Sequence, residues 1–481
     1  MQKLLTKSKY MIGLQCPKYL WVIFNVPEKI PNQEKSKQHL FDEGHLIEEY
    51  ARKLFPSGIE VVKEPFFENI KQSKLFLNKK KPLFEAGFIA ENLYSRADIL
   101  KPVRDKWDII EIKMSGEVKK EHIQDVAFQK YVYEKAGLKI RKCFLMHINC
   151  HYVRKGRIEP KKLFLIKDIN DDVEKDIKEI PGRIREMFKI INLKNCPETI
   201  LKKECKKPYT CPLQEQCWNL PEGNVFELYN ARGKEFELYE QGIISLKDIP
   251  DYYKLNEKQL IQKKGKLHID KQNIKNFLSK LKYPVHYLDF ETFGSPIPLY
   301  NNSRPYQQIP FQYSLHIDNG RKLEHYSFLA SGAKDPRKSF LSSLKKNIRK
   351  EGSIVVYNQS FESRILSEIA DIFPKEKEWV CSLIKRMVDL IVPFRNFYYY
   401  NPTQRGSCSI KDVLPALTDR SYSELEITNG GEASLAYINM TFSRIPKEEK
   451  EKLRKNLEKY CGLDTEGMFL IVKKLRALSS R

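Results

Sequence analysis

Three groups of residues in this chain have types and spacings that can do chemistry. The first pairs acids with a base. Asp98 lies in the apolar run Ala97-Asp98-Ile99-Leu100, and Glu111-Ile112-Lys113 ends the next such run, which starts at Trp107. Residues two apart on a strand point to one face, so Glu111 and Lys113 project together, with Asp98 placed beside them by a hairpin. Two carboxylates can hold Mg²⁺ or Mn²⁺, and a nearby ammonium can orient a water or offset the charge of a reacting phosphate. Gln129 and Tyr133, four apart, share one face of the helix expected next. The second group is Cys205, Cys211 and Cys217, with prolines in the spacers. Thiolates this close together suit iron–sulfur or zinc. A fourth ligand must come from elsewhere, and Cys16 and Cys196 compete for the role. The third group is again acidic. Asp289 and Glu291 are two apart in Val285-His286-Tyr287-Leu288-Asp289-Phe290-Glu291-Thr292, Glu362 follows the apolar run at 354–357, and Tyr460 stands four residues before Asp464.

These residues need elements to position them. Thr6 or Ser8 can cap a first helix that ends near Cys16 and Pro17. Leu40, Phe41, Ile47, Tyr50, Ala51 and Leu54 recur at helical spacing over about 34–55, with His45 off the densest part of that stripe. Apolar and β-branched content predicts strands over 59–67 and 83–93, leading into those of Asp98 and Glu111. Cys143 and Cys150, with apolar neighbours, read as core cysteines of a strand. From 234 to 260 a helix stopped by Gly242, a short link and a second helix are expected. The aromatic run Phe397-Tyr398-Tyr399-Tyr400 can stack on unpaired bases or pack inside the fold.

Composition narrows the class. The chain has 481 residues, 41% hydrophobic and 11% aromatic, enough for two to four domains with real cores. Lys plus Arg number 85 against 62 Asp plus Glu, a net charge of +23 that attracts polyanions such as nucleic acid. No secretory leader and no apolar run of membrane-spanning length is read, so a cytoplasmic protein without a membrane partner is expected. Ten cysteines in such a protein point to metal, redox or core use rather than disulfides.

Asp98, Glu111-Ile112-Lys113, Gln129-x-x-x-Tyr133 and the upstream His45 together resemble the PD-(D/E)XK nucleases of the RecB type, including the iron–sulfur nucleases associated with CRISPR adaptation. The resemblance covers about the first 220 residues. It implies a metal held by Asp98 and Glu111, Lys113 acting on the water, and a [4Fe–4S] cluster on Cys16, Cys205, Cys211 and Cys217, with Zn²⁺ the alternative. The spacer from Cys205 to Cys211 is longer than is usual in those relatives. Residues 283–472 resemble the DEDD exonucleases of the RNase H-like fold: Asp289 and Glu291 match the first motif, Glu362 the second, and Tyr460 with Asp464 the third. That implies two metal ions and 3′–5′ trimming. Glu362 departs from the usual Asp. This part is also similar to a bacterial family known only as a domain of unknown function. The expected architecture is α/β throughout: a PD-(D/E)XK restriction-endonuclease-like domain at 1–220, a small helical connector at 221–282 and an RNase H-like mixed-sheet domain at 283–481. The expected activity is metal-dependent nuclease action on DNA. The alternative is a nucleic-acid-binding adaptor in which one or both sites are inactive.

Overall fold

β-Branched and aromatic residues over 83–113 fold into three antiparallel strands: β1 (Leu83–Ala90), β2 (Leu93–Val103) and β3 (Lys106–Lys113). The computed structural model describes residues 3–31 and 34–480, without the side chains of 34–42. Its described residues form two units, Met1–Asn219 with Ser295–Tyr306, and Leu220–Gly294 with Gln307–Arg481. Both are mixed α/β, and no helix among the described residues is long and apolar enough to cross a membrane.

In the first unit, β4 (Ile140–Ile148) runs parallel to β3, and β5 (Phe164–Asp168) runs antiparallel to β4. The two-residue strands Leu5–Thr6 and Ile59–Glu60 complete a seven-stranded sheet. The longer helices are α1 (Lys7–Gln15), α2 (Pro17–Asn25), α3 (Glu34–Arg52), α4 (Phe66–Phe76), α5 (Lys120–Lys135) and α6 (Ile180–Ile191). A parallel pair needs a crossover, and α5 supplies it between β3 and β4. Period-2 alternation sends Trp107 and Ile109 into a core with Tyr10, Phe128 and Met187, while Ile110 and Ile112 enter another with Ile47, Ala51 and Phe164. Glu111 and Lys113 continue the first series, toward α5. Thr6 caps α1, accepting from the Lys9 amide at 3.4 Å.

Two expectations change here. Only Ile59–Glu60 of the strand expected at 59–67 pairs, because Pro65 ends the extended chain and α4 begins at Phe66. Cys143 is buried in β4, but Cys150 is exposed, since the strand stops at Ile148. The Leu40 and Phe41 side chains lie outside the described residues. The segment Ser295–Tyr306 packs within this unit. Arg154 donates to the carbonyls of Pro298 and Leu299 at 2.9 and 2.6 Å, Ile297 is buried, and the Tyr306 hydroxyl donates to the Met114 carbonyl.

The second unit opens with α7 (Lys234–Glu240), α8 (Glu257–Lys263) and α9 (Lys271–Leu278); Val225, Leu228, Leu238 and Leu246 form a small apolar cluster here. Gly242, at φ 79°, turns the chain just past α7. A five-stranded sheet follows, ordered β8-β7-β6-β9-β10: β6 (Val285–Phe293), β7 (Ile309–Asp318), β8 (Leu323–Leu329), β9 (Ile354–Val356) and β10 (Met387–Asp389). β6 is central, antiparallel to β7 and parallel to β9. Around it stand α10 (Arg337–Asn347), α11 (Gln359–Ile372), α12 (Lys377–Lys385), α13 (Ile410–Leu417), α14 (Gly430–Phe442) and α15 (Lys447–Ser480). Leu288 and Phe290 of β6 face a core containing Phe340, Ile365 and Leu383. The alternate residues face the other way: Tyr287 meets Phe469 of α15 and Phe293 meets Tyr437 of α14. Phe397, Tyr399 and Tyr400 are buried, with the Phe397 and Tyr400 rings stacked at 4.6 Å, so these rings pack the fold and are not open to bases.

Candidate metal centres and a cysteine clasp

Glu85, Asp98 and Glu111 form a row across three adjacent strands. Glu85 and Asp98 fall between the pairs Phe84↔Ile99 and Ala86↔Ala97, and one step beyond Ile99↔Ile110 sets Asp98 opposite Glu111. Glu85 adopts φ 59°, a left-handed conformation that breaks the regular alternation of β1. Asp98 Oδ2 accepts the Ile112 amide at 2.7 Å. Glu48 of α3 completes a group with Glu85 and Asp98 whose carboxylate oxygens lie within 4.8 Å of one another. His45 stands at its rim, 63% exposed, with Nδ1 4.0 Å from Glu48.

Cations surround these acids. Glu111 Oε1 takes both Lys7 and Lys113 at 2.8 Å, and Oε2 accepts from Gln129 at 2.6 Å. Asp125 of α5 shares the lysines, at 2.5 Å from Lys113 and 3.3 Å from Lys7. Glu85 meets Arg52, Lys63 and Arg96 at 2.9, 3.1 and 2.8 Å. Burial alone would lift Asp125, but Lys113 and Lys7 outweigh it and hold the carboxyl well below its usual range. Burial and the charge of Glu111 push Asp98 well above its ordinary value. Tyr133 is structural: its hydroxyl accepts the Ala97 amide at 2.8 Å and donates to the Ala86 carbonyl at 2.5 Å, fixing β1 and β2 beside the acids.

The clasp joins the start of the unit to its end. Cys16 caps α2, its Sγ accepting the Tyr19 amide at 3.5 Å, and neighbouring Gln15 donates to the carbonyls of Glu204 and Tyr209 at 2.7 and 2.6 Å. Cys16, Cys205, Cys211 and Cys217 line one narrow pocket; Cys196 does not line it. No three of these sulfurs lie within 4.8 Å of one another. Burial, then the neighbouring thiols, push Cys211 up to about 11.

In the second unit, helical spacing brings Tyr460, Cys461 and Asp464 of α15 to the face of β6 that carries Asp289 and Glu291. Glu362, in the first turn of α11, joins them; it is 2% exposed and its Oε2 has no hydrogen-bond partner. Burial, followed by Asp464, Glu291 and Glu362, drives Asp289 well above the carboxylate range. Burial and Asp464 do the same to Glu291, which Lys411 of α13 only partly relieves. Burial takes Glu362 to about 8 and Asp464 to about 7. The Tyr422 hydroxyl donates to Asp464 Oδ1 at 2.6 Å, and Lys411 lies 5.8 and 5.3 Å from the Tyr422 and Tyr460 ring centres.

Sequence reasoning missed several of these side chains. Asp125 begins the Asp125-x-x-x-Gln129-x-x-x-Tyr133 stripe, and Glu48 follows His45 by three, so both carried a helical signal. Lys7 meets Glu111 across 104 residues of chain, and nothing local marks it.

The family model "Domain of unknown function (DUF2779)" matches residues 286–409. The chain is 31% identical over 218 residues to "Uncharacterized protein MG366" of Mycoplasma genitalium and 30% over 231 to "Uncharacterized protein UU173" of Ureaplasma parvum. It is 27% identical over 218 residues to the MG366 homolog of Mycoplasma pneumoniae. These matches take in 41%, 42% and 41% of this chain and 33% of each relative, so the chain spans about a third of the length of the curated relatives it matches.

Proposed function

We propose that this protein is a metal-dependent phosphodiester hydrolase acting on nucleic acid, DNA by preference, with its working site in the second unit. One observation carries the reading: Asp289 and Glu291 share the face of a central strand within electrostatic reach of Glu362 and Asp464, and Lys411 is the nearby cation that offsets Glu291 and Asp464. Buried like charges in that number need protons or divalent ions. Asp289, Glu291, Glu362 and Asp464 would hold Mg²⁺ or Mn²⁺, which supplies an activated water and offsets charge on the phosphate. Tyr460 would orient that water. A mixed five-stranded sheet with acids on its middle strand is what the DEDD, RNase H-like resemblance implies, and the net charge of +23 suits a polyanionic substrate.

The first unit supports a second such site of the PD-(D/E)XK kind, with Glu48, Glu85 and Asp98 as its cation ligands and Lys113 beside Glu111. A binding role without cleavage there is favoured by one fact: both Glu111 oxygens are already engaged by Lys7, Lys113 and Gln129. For the clasp, a [4Fe–4S] cluster fits better than one zinc. Zinc at about 2.3 Å from each thiolate would draw the sulfurs to within roughly 4 Å of one another. Iron in a brown preparation, lost in Cys211→Ser, supports the cluster; zinc in a colourless one rejects it.

The test of function uses end-labelled DNA and RNA with Mn²⁺, comparing wild type, Asp289→Ala and Glu111→Ala. Asp289→Ala is expected to lower cleavage about 10²–10³-fold, the scale of losing one group that stabilises a transition state. If neither substitution lowers cleavage, the hydrolase reading is wrong.

A further inference from the structure

The second unit's acidic site contains a thiol that the hydrolase reading does not use. Cys461 is fully buried on α15, between Tyr460 and Asp464. Its Sγ lies 3.7 Å from Asp289 Oδ2, and one ligand atom each of Asp289, Glu291 and Cys461 fall within 4.8 Å of one another. A second, independent feature points to a cation here: Glu362 is 2% exposed, its Oε2 has no hydrogen-bond partner, and its charge bears on both Asp289 and Glu291. A buried carboxylate oxygen left without a donor is costly unless a cation or proton serves it.

Oxygen donors alone suit Mg²⁺, whereas a thiolate selects softer ions. We propose that Asp289, Glu291 and Cys461 form a mixed oxygen–sulfur cation position that takes Zn²⁺ or Cd²⁺ in preference to Mg²⁺, making this site the point at which thiophilic ions displace the working metal. The inference rests on reading these acids as a cation site, and it adds a chemical selectivity that four carboxylates lack. Binding forms a sulfur–metal bond, breaks the thiol S–H bond and releases that proton to buffer; nothing is oxidised or reduced.

The test is a Cd²⁺ titration of the full chain, followed by the ultraviolet thiolate-to-cadmium band, for wild type, Cys461→Ser and Asp289→Asn. All three keep the cysteine clasp, so its contribution cancels in the differences. Wild type minus Cys461→Ser is expected to show one saturable band, and Zn²⁺ competition should show binding about tenfold weaker or more in Cys461→Ser. In Asp289→Asn the same band should need more Cd²⁺ to appear. Superimposable wild-type and Cys461→Ser titrations overturn the proposal, as does a band unchanged by Asp289→Asn, which would make the thiol act without the carboxylates. The readout is binding, so a chain that shows the band but cleaves nothing keeps the mixed site and loses the hydrolase reading.

Discussion

The two acidic centres are built from the same residue types, the first across neighbouring strands and the second on one strand and two helices, yet they are neutralised in opposite ways. In the first unit Lys7, Lys113, Arg52, Lys63 and Arg96 answer Glu111, Asp125, Glu85 and Glu48 at ion-pair distance, and with Asp98 the five cations face five acids. In the second, Asp289, Glu291, Glu362 and Asp464 crowd together with Lys411 and hydroxyl groups for relief, and burial pushes their carboxyls upward. A count of acids in a cleft therefore says less about metal demand than the cations already placed beside them. The first centre keeps its fold on its own charges. The second has fewer cations beside its acids, so protons or an added cation would have to offset them.

Opposite stability effects are the sharpest way to break this contrast. Glu111→Ala leaves the partly buried Lys7 and Lys113 with less counter-charge and should cost about 3 kcal/mol in denaturant unfolding of the first unit. In EDTA, Asp289→Ala removes repulsion and should leave stability unchanged or higher. Equal losses in both variants would erase the distinction. Mn²⁺ at about 100 times its dissociation constant should stabilise wild type by about 2.7 kcal/mol in thermal melts. Glu111→Ala should keep that gain and Asp289→Ala lose it.

Acidity gives a finer test. Carboxyls raised in the folded state hold protons that the unfolded chain has already released, so without metal stability falls as pH rises from about 5 to about 8. Glu362, at about 8, contributes across that window. Glu362→Gln should accordingly gain stability relative to wild type as pH rises in EDTA, and Mn²⁺ should flatten the wild-type slope. The smallest expected effect is Tyr422→Phe. It removes the 2.6 Å hydrogen bond that favours ionised Asp464, moving the pH dependence of metal binding to higher pH at a cost of roughly 1 kcal/mol.

What the sequence revealed follows the range of the interactions. Strand alternation and helical spacing are local, so Asp98, Glu111, Lys113, Asp289, Glu291 and the Tyr460–Asp464 pair could be read as sharing faces, and the structure sets Asp98 near Glu111 and Asp289 near Asp464. Glu85 was hidden because its side chain is aimed by a left-handed backbone, φ 59°, which no residue pattern marks. Lys7 and Tyr422 reach their partners across 104 and 42 residues, Tyr422 from an irregular segment with no periodicity to read. The strand expected to reach 67 stops short because Pro65 ends the extended chain, and the helix that follows from Phe66 turns Asn69 in to donate to the Val62 and Glu85 carbonyls. Cys461 was visible as a residue, but a lone thiol in a helix carries no spacing signal.

Anomalous diffraction from crystals grown with Mn²⁺ tests the central claim most directly, because it separates the two centres by position. Manganese is expected among Asp289, Glu291, Glu362 and Asp464, and its peak should vanish in Asp289→Asn. Manganese bound only at Glu48, Glu85 and Asp98, or at neither centre, would contradict the account.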